Sequence, residues 1–157
     1  MNIEDLKSLM DAFDPASLLP ELDSVLDVIL YAVRIAALAG PAVLLVLGLL
    51  FLIFAPKEAN YYFGYRCAFG MGSVEAWRFT QRLAGIVWSV LGLILTLAMV
   101  SLTRNFADME ISDALWTAVK YLLWEAGLAA VSCLFINTAV MTQFTYGGEH
   151  RRNRTKA

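Results

Sequence analysis

Three stretches of the chain carry no ionisable side chain: residues 35–56 between Arg34 and Lys57, residues 83–103 between Arg82 and Arg104, and residues 126–148 after Glu125. An α-helix rises about 1.5 Å per residue, so roughly 20 apolar residues cross a hydrocarbon layer about 30 Å thick. Each stretch meets that length and is too long for a strand. The pattern predicts three transmembrane helices, at about 35–55, 83–103 and 117–141, within a membrane domain of residues 31–146. Aromatic residues fall where headgroups are expected: Tyr31 before the first span, Phe51 and Phe54 at its end, Trp116, Tyr121 and Trp124 at the start of the third, and Phe144 and Tyr146 after it. Pro41 predicts a kink near residues 37–40. Gly85, Ser89, Gly92 and Thr96 line one face of the second span, a spacing that either lets a neighbouring backbone approach closely or reflects ordinary glycine usage in membrane helices.

The polar segments differ in sign. Residues 1–30 hold Glu4, Asp5, Asp11, Asp14, Glu21, Asp23 and Asp27 against Lys7. Ile3, Leu6, Met10 and Phe13 recur there at helical spacing, which predicts an acidic amphipathic helical segment; Pro15 ends that helix, and Pro20 opens the next, which leads into the first span. The acidic start does not read as a signal peptide. Asp108, Glu110 and Asp113 make the second loop acidic as well. The first loop, residues 56–82, carries Lys57, Arg66, Arg78 and Arg82, and the tail, residues 147–157, carries Arg151, Arg152, Arg154 and Lys156. Three crossings put both basic segments on one side. The positive-inside rule then predicts the amino terminus outside, the carboxyl terminus in the cytoplasm, and the loop 56–82 cytoplasmic.

Composition agrees with this pattern: 59% of the residues are hydrophobic and 17% charged, against about a quarter charged in soluble domains. A soluble globular domain, a disordered chain and a disulfide-stapled module are excluded, and the expected fold is an all-α membrane bundle. The net charge of −2 gives no footprint for nucleic acid. His150, the single histidine, lies in the tail, and Cys67 and Cys133 stand too far apart for a zinc pattern, so no metal, cofactor or enzymatic activity is expected.

The first loop is richer than a connector needs. It reads Asn60-Tyr-Tyr-Phe-Gly64-Tyr65-Arg66-Cys67 and, further on, Ser73-Val-Glu-Ala-Trp77-Arg78-Phe-Thr80-Gln-Arg82. An extended entry, a turn at Gly64 and a helix capped by Ser73 fit this order. The pattern resembles the SdpI family of bacterial multipass membrane proteins, whose hallmark is Asn followed closely by Gly-Tyr-Arg-Thr, then Trp and Ala-Asn before the next span. Asn60, Gly64, Tyr65, Arg66 and Trp77 match, with Arg82 and Gly85 in the usual continuation; Cys67 stands where Thr is common, and Thr80 where Asn is. The resemblance spans roughly residues 35–140 and does not extend to the additional amino-terminal membrane half of the founding member, an immunity protein.

That resemblance implies protection against an exported antimicrobial peptide toxin, with a cytoplasmic repressor sequestered at the membrane as a second duty. Two roles fit the hallmark residues. In one, Asn60 and Arg66 satisfy helix ends at the interface and Trp77 anchors a helix at headgroup level. In the other, the basic, aromatic face binds a protein or a lipid headgroup, with Arg78 and Arg82 on one helix face.

In the third span, Glu125 is read either as an ion-pair partner of Arg34 or Lys120, or as a ligand- or proton-binding carboxylate. Asn137, on the same helix, is placed to hydrogen-bond across the bundle. The expected partners are therefore the bilayer, a peptide toxin outside, a cytoplasmic regulator inside and a second copy of the chain. The alternative function is a small homo-oligomeric transporter or channel using Glu125.

Overall fold

The computed structural model describes residues 19–60 and 62–151, with side chains from Ser24 onward. The amphipathic pattern at Ile3–Phe13 lies outside the described residues. Three long helices make the bundle: α1 (Leu19–Ile53), α2 (Val74–Leu102) and α3 (Ile111–Gln143). A short 3-10 helix, Arg104–Asp108, turns the chain between α2 and α3. Each long helix contains a stretch long and apolar enough to cross a membrane. The fold is thus an all-α bundle with three membrane-crossing helices.

The helices extend past the charge-free stretches because charged residues near a span end fit a helix that protrudes into the headgroups. Pro20 occupies the first turn of α1, where a missing N–H costs nothing, and α1 runs unbroken through the buried Pro41. At the start of α2, Ser73 Oγ accepts the Ala76 N–H at 3.1 Å, the cap the sequence predicts.

The small-residue face of α2 packs against α1 of the same chain. A methyl group on Gly92 would collide with the backbone of Leu45, one on Gly85 would come within 2.7 Å of Leu52, and one on Gly48 would meet Ser89 and Trp88. Because lipid tails solvate apolar side chains as well as a neighbouring helix does, van der Waals contact between backbones holds such helices together. Glycine at these crossing points is what permits that contact.

A cluster of buried hydrophobic residues lies at one end of the bundle. Phe51 from α1, Ala76 and Ala84 from α2, and Ile136, Val140 and Phe144 at the end of α3 form it, with Phe63, Tyr65, Cys67 and Phe69 of the loop packed against them. Phe51 and Phe144 were expected to face the headgroups; instead they are buried, because the loop folds back over them. Tyr31, Phe54, Trp116, Trp124 and Tyr146 are exposed, and Tyr121 stacks on Phe106 at the opposite end.

Candidate functional site

The loop between α1 and α2 is a built structure that caps the bundle. Asn60 starts it: its Oδ1 accepts the N–H groups of Tyr62 and Phe63, both at 2.9 Å, and fixes a tight turn. Gly64 follows with φ +117°, a conformation that L side chains rarely adopt. A Cβ there would also meet Gln81 Oε1 and the Trp77 ring, each at 2.8 Å. Glycine is required at this position on both counts.

Gln81 then clasps the next residue. Its Oε1 accepts the Tyr65 N–H at 2.8 Å and its Nε2 donates to the Tyr65 carbonyl at 2.7 Å, so one amide satisfies both backbone groups of Tyr65 as a neighbouring strand would. Gln81 is 1% exposed. One turn earlier on α2, Trp77 is fully buried and its indole N–H donates to the Pro56 carbonyl at 2.9 Å. The loop is thereby pinned at its entry by Trp77 and at its middle by Gln81.

Tyr65 carries the loop across to α3. Its ring packs edge-on against Trp88, with centroids 5.4 Å apart. Its hydroxyl donates to Asn137 Oδ1 at 3.0 Å and lies 3.2 Å from the Cys133 carbonyl. Burial holds the phenol protonated well above the usual tyrosine range, and the nearby Cys133 thiol adds to the shift. Trp88 in turn donates to Ser132 Oγ of α3 at 3.1 Å. Beyond α3, the turn at residues 145–148 docks on the start of α2: Ser73 Oγ donates to the Gly148 carbonyl at 2.8 Å, and Gly148, at φ +77°, lies against the backbone of Gly72 and Ser73.

The hallmark residues therefore divide. Asn60, Gly64, Tyr65 and Trp77 are consumed in building the cap. Asn60 serves a turn of its own loop and not a helix end, and Trp77 is a core residue and not a headgroup anchor, because the loop lies over it. Arg66, Arg78 and Arg82 remain exposed. Arg78 and Arg82, with Lys57, border a cavity of about 200 Å³ between the end of α1 and the first turns of α2.

Glu125 lies elsewhere. It is 14 residues into α3, about 21 Å along a helix of 33 residues, and so is close to its middle. It is 7% exposed, and a methyl group on Gly40 of α1 would come within 2.7 Å of its Oε2. Its Oε1 has no hydrogen-bond partner, and among the described residues no ion pair joins it to Arg34 or Lys120. Arg34 lies six residues from Gly40, about 9 Å nearer the far end, where it lines a second cleft with Asp27, Tyr31 and Phe106. The Arg34 pairing fails because α3 sets Glu125 against Gly40, nearly two turns of α1 away from Arg34.

Gln81 had no place among the candidate residues, although a signal for it exists. Trp77, Ala84, Gly85, Gly92, Leu95 and Met99 mark the buried stripe of α2, and Gln81 is a polar residue on that stripe. A buried amide needs partners, and here the loop backbone supplies them.

The family model described as the SdpI/YfhL protein family matches residues 57–137, from the loop through most of α3. The chain belongs to the SdpI/YfhL family. No curated protein and no solved structure matches it. The SdpI/YfhL match takes in the whole cap except the Pro56 carbonyl that Trp77 holds and the turn after α3. With three apolar helices, membership makes this a multipass membrane protein of an immunity-type family.

Proposed function

We propose that this SdpI-family protein is a non-enzymatic immunity and signalling protein that protects its cell against an exported antimicrobial peptide. The observation that carries the reading is the cap. The residues that define the family resemblance build a rigid platform over one end of the bundle and leave Arg66 exposed upon it. The positive-inside rule places this platform and the carboxyl terminus in the cytoplasm of a bacterial cell membrane, with the amino terminus outside. A cytoplasmic regulator, a repressor by the family resemblance, then docks on the cap. The peptide toxin meets the opposite end, where a cleft of about 390 Å³ is lined by Asp27, Leu30, Tyr31, Arg34 and Phe106. The cleft offers an amphipathic peptide one carboxylate, Asp27, and the rings of Tyr31 and Phe106, beside the cation Arg34.

The test is expression in a toxin-sensitive strain, with membrane abundance measured beside survival. Wild type protects, and Arg66→Gln retains abundance while losing the signalling output. Full abundance with no protection against any exported peptide toxin of the host rejects the immunity reading. Reporter fusions that place the carboxyl terminus outside reject the orientation.

A second reading, a small homo-oligomeric transporter or channel, is favoured by the buried, unpartnered carboxyl oxygen of Glu125. The packing of Gly85 and Gly92 on α1 weighs against it, because the small-residue face is already occupied within one chain. Flux in proteoliposomes that Glu125→Gln abolishes would establish this reading over the first.

A further inference from the structure

Two charge-free stretches end at the same level of the bundle. Residues 35–56 end at Lys57, and residues 83–103 begin after Arg82. The second is 21 residues long, about 31 Å of helix, which equals the thickness of a hydrocarbon layer. Lys57 and Arg82 therefore stand at one boundary between hydrocarbon and headgroups. Arg78, one turn before Arg82 on α2, reaches further into the headgroup layer.

These three cations border one cavity of about 200 Å³, together with Leu52, Pro56 and Gln81. Among the described residues, none of the three is engaged by a carboxylate or another hydrogen-bond acceptor. The nearest acidic residues in sequence, Glu58 and Glu75, are exposed and do not line the cavity. Three cations facing one space repel each other until an anion enters.

The same helix face continues into the membrane as apolar surface. Arg78, Arg82, Ile86 and Val90 follow at four-residue spacing, and Ile86 and Val90 are exposed. On α1, Leu52 is exposed and lines the same cavity. Cations at the boundary above an unbroken apolar strip match a phosphate joined to acyl chains, whereas a free phosphate would use the cations alone.

We propose that the cavity bordered by Lys57, Arg78 and Arg82 binds the phosphate of one anionic phospholipid, whose chains lie along Ile86 and Val90. This site does not depend on the immunity reading: it concerns the exposed arginines of α2, whereas protection is assigned to the cap and the far cleft.

The test uses the full chain reconstituted in phosphatidylcholine vesicles containing trace spin-labelled phosphatidylglycerol or spin-labelled phosphatidylcholine. Wild type retains the phosphatidylglycerol probe in preference to the phosphatidylcholine probe, by about fivefold for each cation engaged. Arg78→Gln and Arg82→Gln each lower the preference by about that factor, Arg78→Lys keeps most of it, and Arg104→Gln at the opposite end leaves it unchanged. An absence of preference in the wild type overturns the proposal whatever the variants do. Equal loss in Arg104→Gln overturns it as general surface charge. Displacement of the labelled lipid by inorganic phosphate at equal concentration shows a free-phosphate site and overturns the lipid assignment.

Discussion

Two of the buried polar side chains in this bundle, Gln81 and Glu125, are treated oppositely. Gln81, under the loop, makes both of its hydrogen bonds at 2.7 and 2.8 Å and is 1% exposed. Glu125, mid-helix against Gly40, is 7% exposed and leaves one carboxyl oxygen without a partner. A satisfied buried amide adds order, because it fixes the only geometry that meets its donors and acceptors. An unsatisfied buried carboxyl costs stability instead. The cap is thus ordered by its hydrogen bonds, whereas Glu125 sits near the middle of α3 with a carboxyl oxygen unpaired.

The largest break in this contrast is Trp77→Ala. It removes a fully buried ring, which costs about 3–5 kcal/mol, and also leaves the Pro56 carbonyl unpaired. Thermal unfolding in detergent should show the loss, with membrane abundance falling alongside. Gln81→Leu comes next. It strands the Tyr65 N–H and carbonyl under the loop at roughly 1–3 kcal/mol each, while Gln81→Glu keeps the acceptor and loses the donor. If leucine is as stable as glutamine in the same unfolding assay, the clasp is not what orders the loop.

Gly92→Ala tests the packing between α1 and α2. A Cβ there meets the backbone of Leu45, so the helices must separate, at about 1–3 kcal/mol. Gly40→Ala should cost less in the same measurement, because its Cβ meets only the movable end of Glu125. Glu125→Gln has the smallest stability effect and the opposite sign: the midpoint of unfolding stays level or rises. A fall of several degrees would mean that the carboxylate is paired after all.

A pH experiment sharpens the cap side. The Tyr65 phenol is held above the usual tyrosine range by burial, so folding favours its neutral form. Its contribution is complete below the ordinary tyrosine pKa of about 10 and is lost as pH rises through the higher folded value. Tyr65→Phe loses about 1 kcal/mol from the bond to Asn137 at neutral pH and removes this part of the alkaline destabilisation. An unchanged alkaline slope in Tyr65→Phe would move the effect to another tyrosine.

Much of this was legible in the residues. The absence of ionisable groups over three lengths of about 20 residues specifies membrane helices, since each uncompensated charge in hydrocarbon is costly and each backbone amide must be satisfied within its own segment. Ser73 was readable as a cap, and Asn60, Gly64, Tyr65, Arg66 and Trp77 carried the family. Glu125 was recognisable as unusual, but its neighbour was not: which residue of α1 it meets depends on how α3 sits against α1, and that sets it at Gly40 and not at Arg34.

What the sequence determined alone is local: helix lengths set by rise per residue, the turn residues of the loop, and the division of charge between the two ends. What only the tertiary structure decided is which partner each group meets. Gln81 meets Tyr65, Tyr65 meets Asn137 seventy-two positions on, Gly92 meets Leu45 and Glu125 meets Gly40. The physical reason is that helix formation in a membrane is fixed by each segment's own hydrogen bonding and hydropathy. Rotation and register between helices follow instead from close contact of small residues far apart in the chain.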